Sequence, residues 1–352
     1  MKKTLSILAV AAVMVACNRT EDIYEPKGDY ENGFLVLNEG GFGKNNGSLT
    51  YTNYDFSKTE QETYQKVNKE VLGDTSQSAF RYGDDLYIVM NGSNKLIKVN
   101  RYTLKKEGEV TTNLSNPRYA TVSNGKLFVT NWGSGSDNTD DYILVLDYET
   151  LKELGKISVD FGVERIFNFQ NKVYALLQGG WGKNNKVAVI NPASQSVEKY
   201  YTVGMQPNGF AVENDRVLIT CSGDGTYDAN WNYTQTVDGS IWTLTGSGVE
   251  KTYDWVSTTD KKESIREIVR VNQSYFFLVD GKLHKAPVGS DLTKSKKVDD
   301  TSFYHIGKLG NLFAVGLDAK DYVSKGEAVF FNESGEVAHK TKTGIIPNSI
   351  VD

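Results

Sequence analysis

Cysteine, histidine and proline are all scarce in this chain. Its 352 residues hold two Cys, three His and six Pro. Two cysteines allow at most one disulfide, so the fold cannot be a disulfide scaffold. His284, His305 and His339 stand at no metal-ligand spacing from one another or from a Cys. There is no Gly-x-Ser-x-Gly elbow and no phosphate-binding glycine loop. The acidic runs Asp224-Gly225-Thr226-Tyr227-Asp228 and Ser136-Asp137-Asn138-Thr139-Asp140-Asp141 could offer oxygens to calcium. Both lack the full EF-hand pattern and read as solvated loops. Acidic residues outnumber basic ones, 44 to 39, which argues against nucleic acid as a partner. What the chain has instead is 33 Gly, 20 Tyr and 39% hydrophobic residues. That composition suits many short strands joined by turns around a packed core.

The N-terminus stands apart. Met1-Lys2-Lys3 is basic, Leu5 to Val15 is apolar but too short to span a bilayer, and Val15-Ala16-Cys17 follows. This resembles a bacterial lipoprotein signal peptide with its lipobox, Met14 standing where Leu is commoner. The resemblance implies cleavage before Cys17 and lipidation of its thiol. Residues 1–16 are then a signal peptide, 17–32 a lipidated Cys with a flexible polar tether, and 33–352 the folded domain. Glu21-Asp22, close behind Cys17, resemble the surface-export signal of Bacteroidetes lipoproteins. Removal of Lys2 and Lys3 takes the formal charge from −5 to −7. Cys221 is then left without an internal partner; ending the apolar run Val217-Leu218-Ile219-Thr220, it reads as a small buried hydrophobe.

From residue 33 onward the chain repeats. Seven apolar segments read as equivalent strands: Phe34-Leu35-Val36-Leu37, Leu86-Tyr87-Ile88-Val89, Leu127-Phe128-Val129-Thr130, Val173-Tyr174-Ala175-Leu176, Val217-Leu218-Ile219-Thr220, Tyr275-Phe276-Phe277-Leu278 and Leu312-Phe313-Ala314-Val315. Most follow a tight polar turn such as Asn124-Gly125-Lys126 or Asn214-Asp215-Arg216, which signals a hairpin. The period is about 40–45 residues, the length of one four-stranded propeller blade. Asn116-Pro117-Arg118 and Gln206-Pro207-Asn208 each open such a unit, and Ile346-Pro347-Asn348 opens one that the chain does not complete. The first unit shows the opposite defect, lacking an innermost strand. The expectation is an all-β, seven-bladed β-propeller whose first blade is closed by the C-terminal strand.

Lys126-Leu127-Phe128-Val129-Thr130-Asn131 resembles the Tyr-Val-Thr-Asn repeat of seven-bladed propellers. The stretch from Val36 to Leu49 resembles the start of a group of Bacteroidetes surface-lipoprotein propellers. The resemblance implies an outer-membrane, surface-exposed protein; from the missing motifs no catalytic role or cofactor is expected, an enzyme being the third reading. By the same resemblance the protein would capture a ferric siderophore or cobalamin for a TonB-dependent transporter. A protein- or glycan-binding propeller is the alternative, and such folds serve many functions.

In a four-stranded blade, the start of the innermost strand and the loop between strands two and three share one face. Counting back nine residues from each second strand puts Gln77, Arg118, Glu164, Asn208, Arg266 and Phe303 there, with Asn348 closing the ring. Arg165 follows Glu164. Of eight Arg after Cys17, three fall in this set, and Arg suits planar carboxylate or catecholate groups. The competing expectation is that these polar groups bond one another around the channel. Glu164 is the one acid of the ring, which argues against a carboxylate-lined metalloenzyme channel. The loops on this face are long, at 39–47, 133–141, 179–185 and 223–238, and Phe42, Trp132, Trp181, Tyr227 and Trp231 on this rim could stack on a flat ligand. Phe42 and Trp181 sit in matching Gly-aromatic-Gly-Lys-Asn-Asn motifs, where packing onto the next blade is the expectation; for Tyr227 and Trp231 it is exposure. His305 lies near an innermost strand and could approach the channel, with a packing role the expectation.

Overall fold

Hydrogen bonding divides the strands into seven four-stranded antiparallel sheets and one two-stranded hairpin. The structure is a computed structural model that describes residues 25–257 and 261–352; Cys17 and the signal segment lie outside the described residues. The seven sheets are the blades of a β-propeller. Their innermost strands are Pro347–Val351, Ser76–Tyr82, Pro117–Ser123, Val163–Phe169, Pro207–Val212, Ile265–Val271 and His305–Leu309. Each packs against the innermost strand on either side, and the last packs on the first, so the ring is closed.

Each second strand is apolar on both faces because both are covered by neighbouring blades. Phe34 through Leu37 and Leu86 through Met90 are fully buried. Burying one such side chain contributes about 1.5–3 kcal/mol, and no blade can supply both covers by itself. The fourth strands alternate because one side meets solvent, as in Glu153–Ser158 and Ser196–Thr202. The third strands of blades one and six, Ser48–Asn53 and Lys282–Pro287, are the hardest to see in the sequence. The polar Ser-Leu-Thr-Tyr-Thr-Asn and Lys-Leu-His-Lys patterns hide them.

Blade one is assembled from both ends of the domain. Pro347–Val351 pairs antiparallel with Gly33–Asn38, with Leu35 opposite Val351 and Leu37 opposite Ser349. Gly344 N–H donates to Asn38 Oδ1 at 2.9 Å. The ordered contacts begin before Gly33. Tyr30 is buried against Tyr51, and the fully buried Arg101 donates to the carbonyls of Tyr30 at 3.2 Å and Gly33 at 2.6 Å. The polar segment is thus pinned at its end rather than free up to residue 32.

Six blades share an irregularity that positions the site. Where the innermost strand begins, its register with the second strand slips, leaving residues without a partner. The unpaired positions are Gln77, Arg118 with Tyr119, Glu164 with Arg165, Asn208, Glu267 and Asn348. A β-bulge re-aims side chains in this way. Here it gathers them towards one end of the axis. Blade seven has no slip: His305 pairs with Leu317 and Ile306 with Gly316.

Candidate functional site

A cavity of about 570 Å³ opens on the face where the innermost strands begin. Its floor carries Gln77, Arg118, Glu164, Arg165, Asn208 and Arg266, as expected from the repeat, and its wall carries Trp132 and Trp181. Glu39, Tyr119, Glu267, Tyr304 and His305 also line it. The counting rule placed Phe303 here, and that is wrong. Leu312 belongs to the turn, bonding back to Leu309 O, and the second strand starts at Phe313. The count therefore lands one residue early. Phe303 is buried against Phe331, and Tyr304 takes the cavity position. His305 likewise faces the cavity rather than serving only to pack.

The ring holds three acids, not one. Glu164 is joined by Glu267, the bulged residue beside Arg266, and by Glu39, which directly follows the second strand of blade one. Two of the three arginines are consumed by them. Arg118 binds Glu164 through two hydrogen bonds, Nε to Oε2 at 2.9 Å and Nη2 to Oε1 at 2.8 Å. Its guanidinium lies 4.0 Å from the Trp132 ring centre, and the indole N–H donates to Val163 O at 2.8 Å. Arg165 binds Glu267 and lies 4.9 Å from the Tyr119 ring centre. His305 Nδ1 meets the same carboxylate, whose other oxygen accepts Ile306 N–H at 2.7 Å. Burial alone would raise the Glu267 carboxyl, but His305, Arg165 and the backbone N–H outweigh it and hold it at about 2.

Among the described residues Glu39 forms no ion pair, and Arg118 acts on it only at a distance. Burial pushes its carboxyl above the usual range, against the pull of His305, of the amide of Asn348 and of the Tyr304 hydroxyl. Tyr304 donates to its two oxygens at 3.3 and 3.4 Å, and Asn348 Nδ2 donates at 3.3 Å. Asn348 is in the ring, buried, and reaches the cavity only through Glu39. Its amide also ties blade one to the carbonyls of Ser76 and Gln77, which is a closing role.

Arg266 differs from its neighbours. Among the described residues its guanidinium makes no hydrogen bond, ion pair or ring contact, and it lines the cavity half-buried. Above it the rim is aromatic. Phe42 and Trp181 are 85% and 87% exposed, correcting the expectation that they pack onto the next blade. The Trp181 loop leaves blade four through a backbone contact so close that a Cβ on Gly162 would lie 2.0 Å from Gly179 Cα. With its base held there, the loop presents Trp181 edge-on to Trp132 at 6.3 Å.

Tyr227 and Trp231 are exposed, as expected, but do not line the cavity. They sit on a separate hairpin, Asp224–Tyr227 paired with Tyr233–Val237, where Tyr227 packs on both Trp231 and Tyr233. Lys183 of the Trp181 loop secures its base, reaching Asp224 at 2.6 Å and Gly225 O at 2.7 Å. The carboxylate of Asp228 caps its own turn, accepting from Asn230 and Asn232 N–H. Cys221 is buried away from the cavity, and burial pushes its thiol up to about 12, so it is inert.

The fold and the cavity define the class: a seven-bladed propeller with a polar axial cavity under an aromatic rim. Residues 32–279 match one family, described as a domain of unknown function (DUF5074), and the chain belongs to it. No curated protein matches the sequence. Among solved structures, the chain is similar to a quinonprotein alcohol dehydrogenase-like protein from Bacteroides thetaiotaomicron, at 14% identity and a TM-score of 0.68, covering 92% of this chain and 78% of that one. It is also similar to a functionally unknown protein from Desulfotomaculum acetoxidans, at 10% identity and a TM-score of 0.63, covering 91% and 98%. AztD from Citrobacter koseri is similar at 12% identity and a TM-score of 0.55, covering 90% and 83%. At these identities the likeness is one of fold.

Proposed function

We propose that the protein is a capture protein, not an enzyme. Its ligand is a bulky metal-containing small molecule, with a ferric siderophore the favoured class and cobalamin the next. It passes this ligand to a TonB-dependent transporter while anchored at the outer-membrane surface through Cys17. The observation that carries the reading is Arg266. Every other arginine of the cavity is matched by a carboxylate, so one unspent guanidinium faces the space beneath exposed Trp181 and Phe42. A catecholate or carboxylate would meet that cation while its rings lie against the rim. The 570 Å³ volume falls in the range of about 300–1,000 Å³ usual for small-molecule pockets. The hairpin of Tyr227 and Trp231, outside the cavity, is the surface left for the protein partner.

Titration with a ferric tris-catecholate, followed by tryptophan emission, tests this. Saturable quenching is expected, weakened roughly tenfold or more by Arg266→Ala, the loss of one charged hydrogen bond of about 1.5–3 kcal/mol. Cobalamin is the parallel titrant. If neither changes the signal, this ligand class is wrong. Co-purification of a protein partner without small-molecule binding would instead favour the reading as a protein- or glycan-docking propeller.

A further inference from the structure

The axial channel has a second chamber, opening on the opposite face where the innermost strands end. Its volume is about 640 Å³. Tyr119 and Arg165 line both chambers and stand between them. With Arg165 bound to Glu267 and lying against the Tyr119 ring, the partition is held from the upper side.

The two chambers differ in chemistry. Among the described residues, three glutamates line the upper one and no aspartate or glutamate lines the lower. Its walls are largely apolar, with Phe80 and Phe210 half-buried, Ile350 beside them, and Phe167 tilted against Phe210 with ring centres 4.4 Å apart. Lys308 stands exposed at the mouth and makes no hydrogen bond or ion pair among the described residues. A chamber with apolar walls, one unspent cation and no acid favours an apolar body carrying a single negative charge.

We propose that this lower chamber is a second binding site, for a compact amphipathic anion such as an aromatic carboxylate. Its carboxylate meets Lys308 and its ring lies against Phe80 and Phe210. This site is independent of the ligand proposed for the upper cavity.

The test uses 2-naphthoate, followed by its own fluorescence anisotropy, with neutral 2-naphthamide as the charge control. Saturable binding of one equivalent is expected, tighter for the acid than for the amide. Lys308→Gln should weaken the acid roughly fivefold and remove its salt dependence, the scale of one exposed charge interaction. Ser349→Trp, which fills the chamber from blade one, should abolish binding. Asn168→Trp does so from blade four if the first variant melts early. Arg266→Ala should leave intact the binding that Ser349→Trp abolishes. The proposal is overturned if no saturable binding occurs at millimolar 2-naphthoate. Binding that survives Lys308→Gln and both Trp variants also overturns it, as does binding abolished by Arg266→Ala, which would place it in the upper cavity.

Discussion

Arg118 and Arg266 line the same cavity, yet their removal should have very unequal consequences for stability. Arg118 and Glu164 form a bidentate pair whose side chains are 15% and 8% exposed. Arg118→Ala leaves the Glu164 carboxylate with low exposure and no counter-charge, and removes the guanidinium from the Trp132 face. Breaking such a pair from one side costs about 3–5 kcal/mol. At about 2 °C per kcal/mol for a domain of this size, the melting midpoint should fall by roughly 6–10 °C. Arg118→Leu combined with Glu164→Leu removes both charges together, and it should lie within about 1 kcal/mol of the parent because no ion is stranded. Arg266→Ala breaks no pair and should shift stability by no more than about 0.5 kcal/mol. Urea unfolding of the four proteins, compared at equal slope, measures all three differences. Equal destabilisation by Arg118→Ala and Arg266→Ala would refute the division between spent and unspent arginines. A double variant as unstable as the single one would refute the stranded-charge explanation.

Two further predictions concern closure and pH. Deleting residues 347–352 removes the innermost strand of blade one and the Asn348 bonds to blade two; a chain that melts like the parent in calorimetry would contradict the closure. Glu39→Gln tests the raised carboxyl. The folded state holds this proton more tightly than the unfolded chain, so Glu39 costs stability as pH rises above the ordinary carboxylate value of about 4.3. The variant should therefore gain on the parent from pH 4 to pH 7 and lose that advantage below pH 4, read as the difference in urea midpoint across the range.

Blade number and ring closure were legible because they rest on local signals: apolar tetrads, polar turns and a repeated Pro-Asn or Pro-Arg opening. The face was legible too, since strand direction alone fixes it. Charge pairing was not. Glu39 follows a second strand, so a count keyed to innermost strands passes over it. Glu267 reaches the cavity beside Arg266 only because a bulge inserts between Arg266 and Ile268. Such slips depend on packing between blades, where Asn208 Oδ1 accepts Glu267 N–H at 2.9 Å. Phe303 failed for a smaller reason: Leu312 is apolar but sits in an exposed turn, and hydrophobicity alone set the frame one residue early. Phe42 and Trp181 share a motif with glycines that permit either packing or projection, and their surroundings decide for projection.

The pinning of the N-terminal segment also sets an orientation. Lys27 reaches Asp84 at 3.1 Å, and Tyr30 N–H donates to Tyr102 O at 2.9 Å. Asp84 lies in the turn between the first and second strands of blade two, and Tyr102 in that between the third and fourth. Both turns belong to the face opposite the aromatic rim. Anything joined upstream of residue 25 thus attaches on the far side of the ring. A lipid at Cys17 would hold Trp181 and Arg266 pointing outward, and would turn Lys308 and the lower chamber towards the membrane.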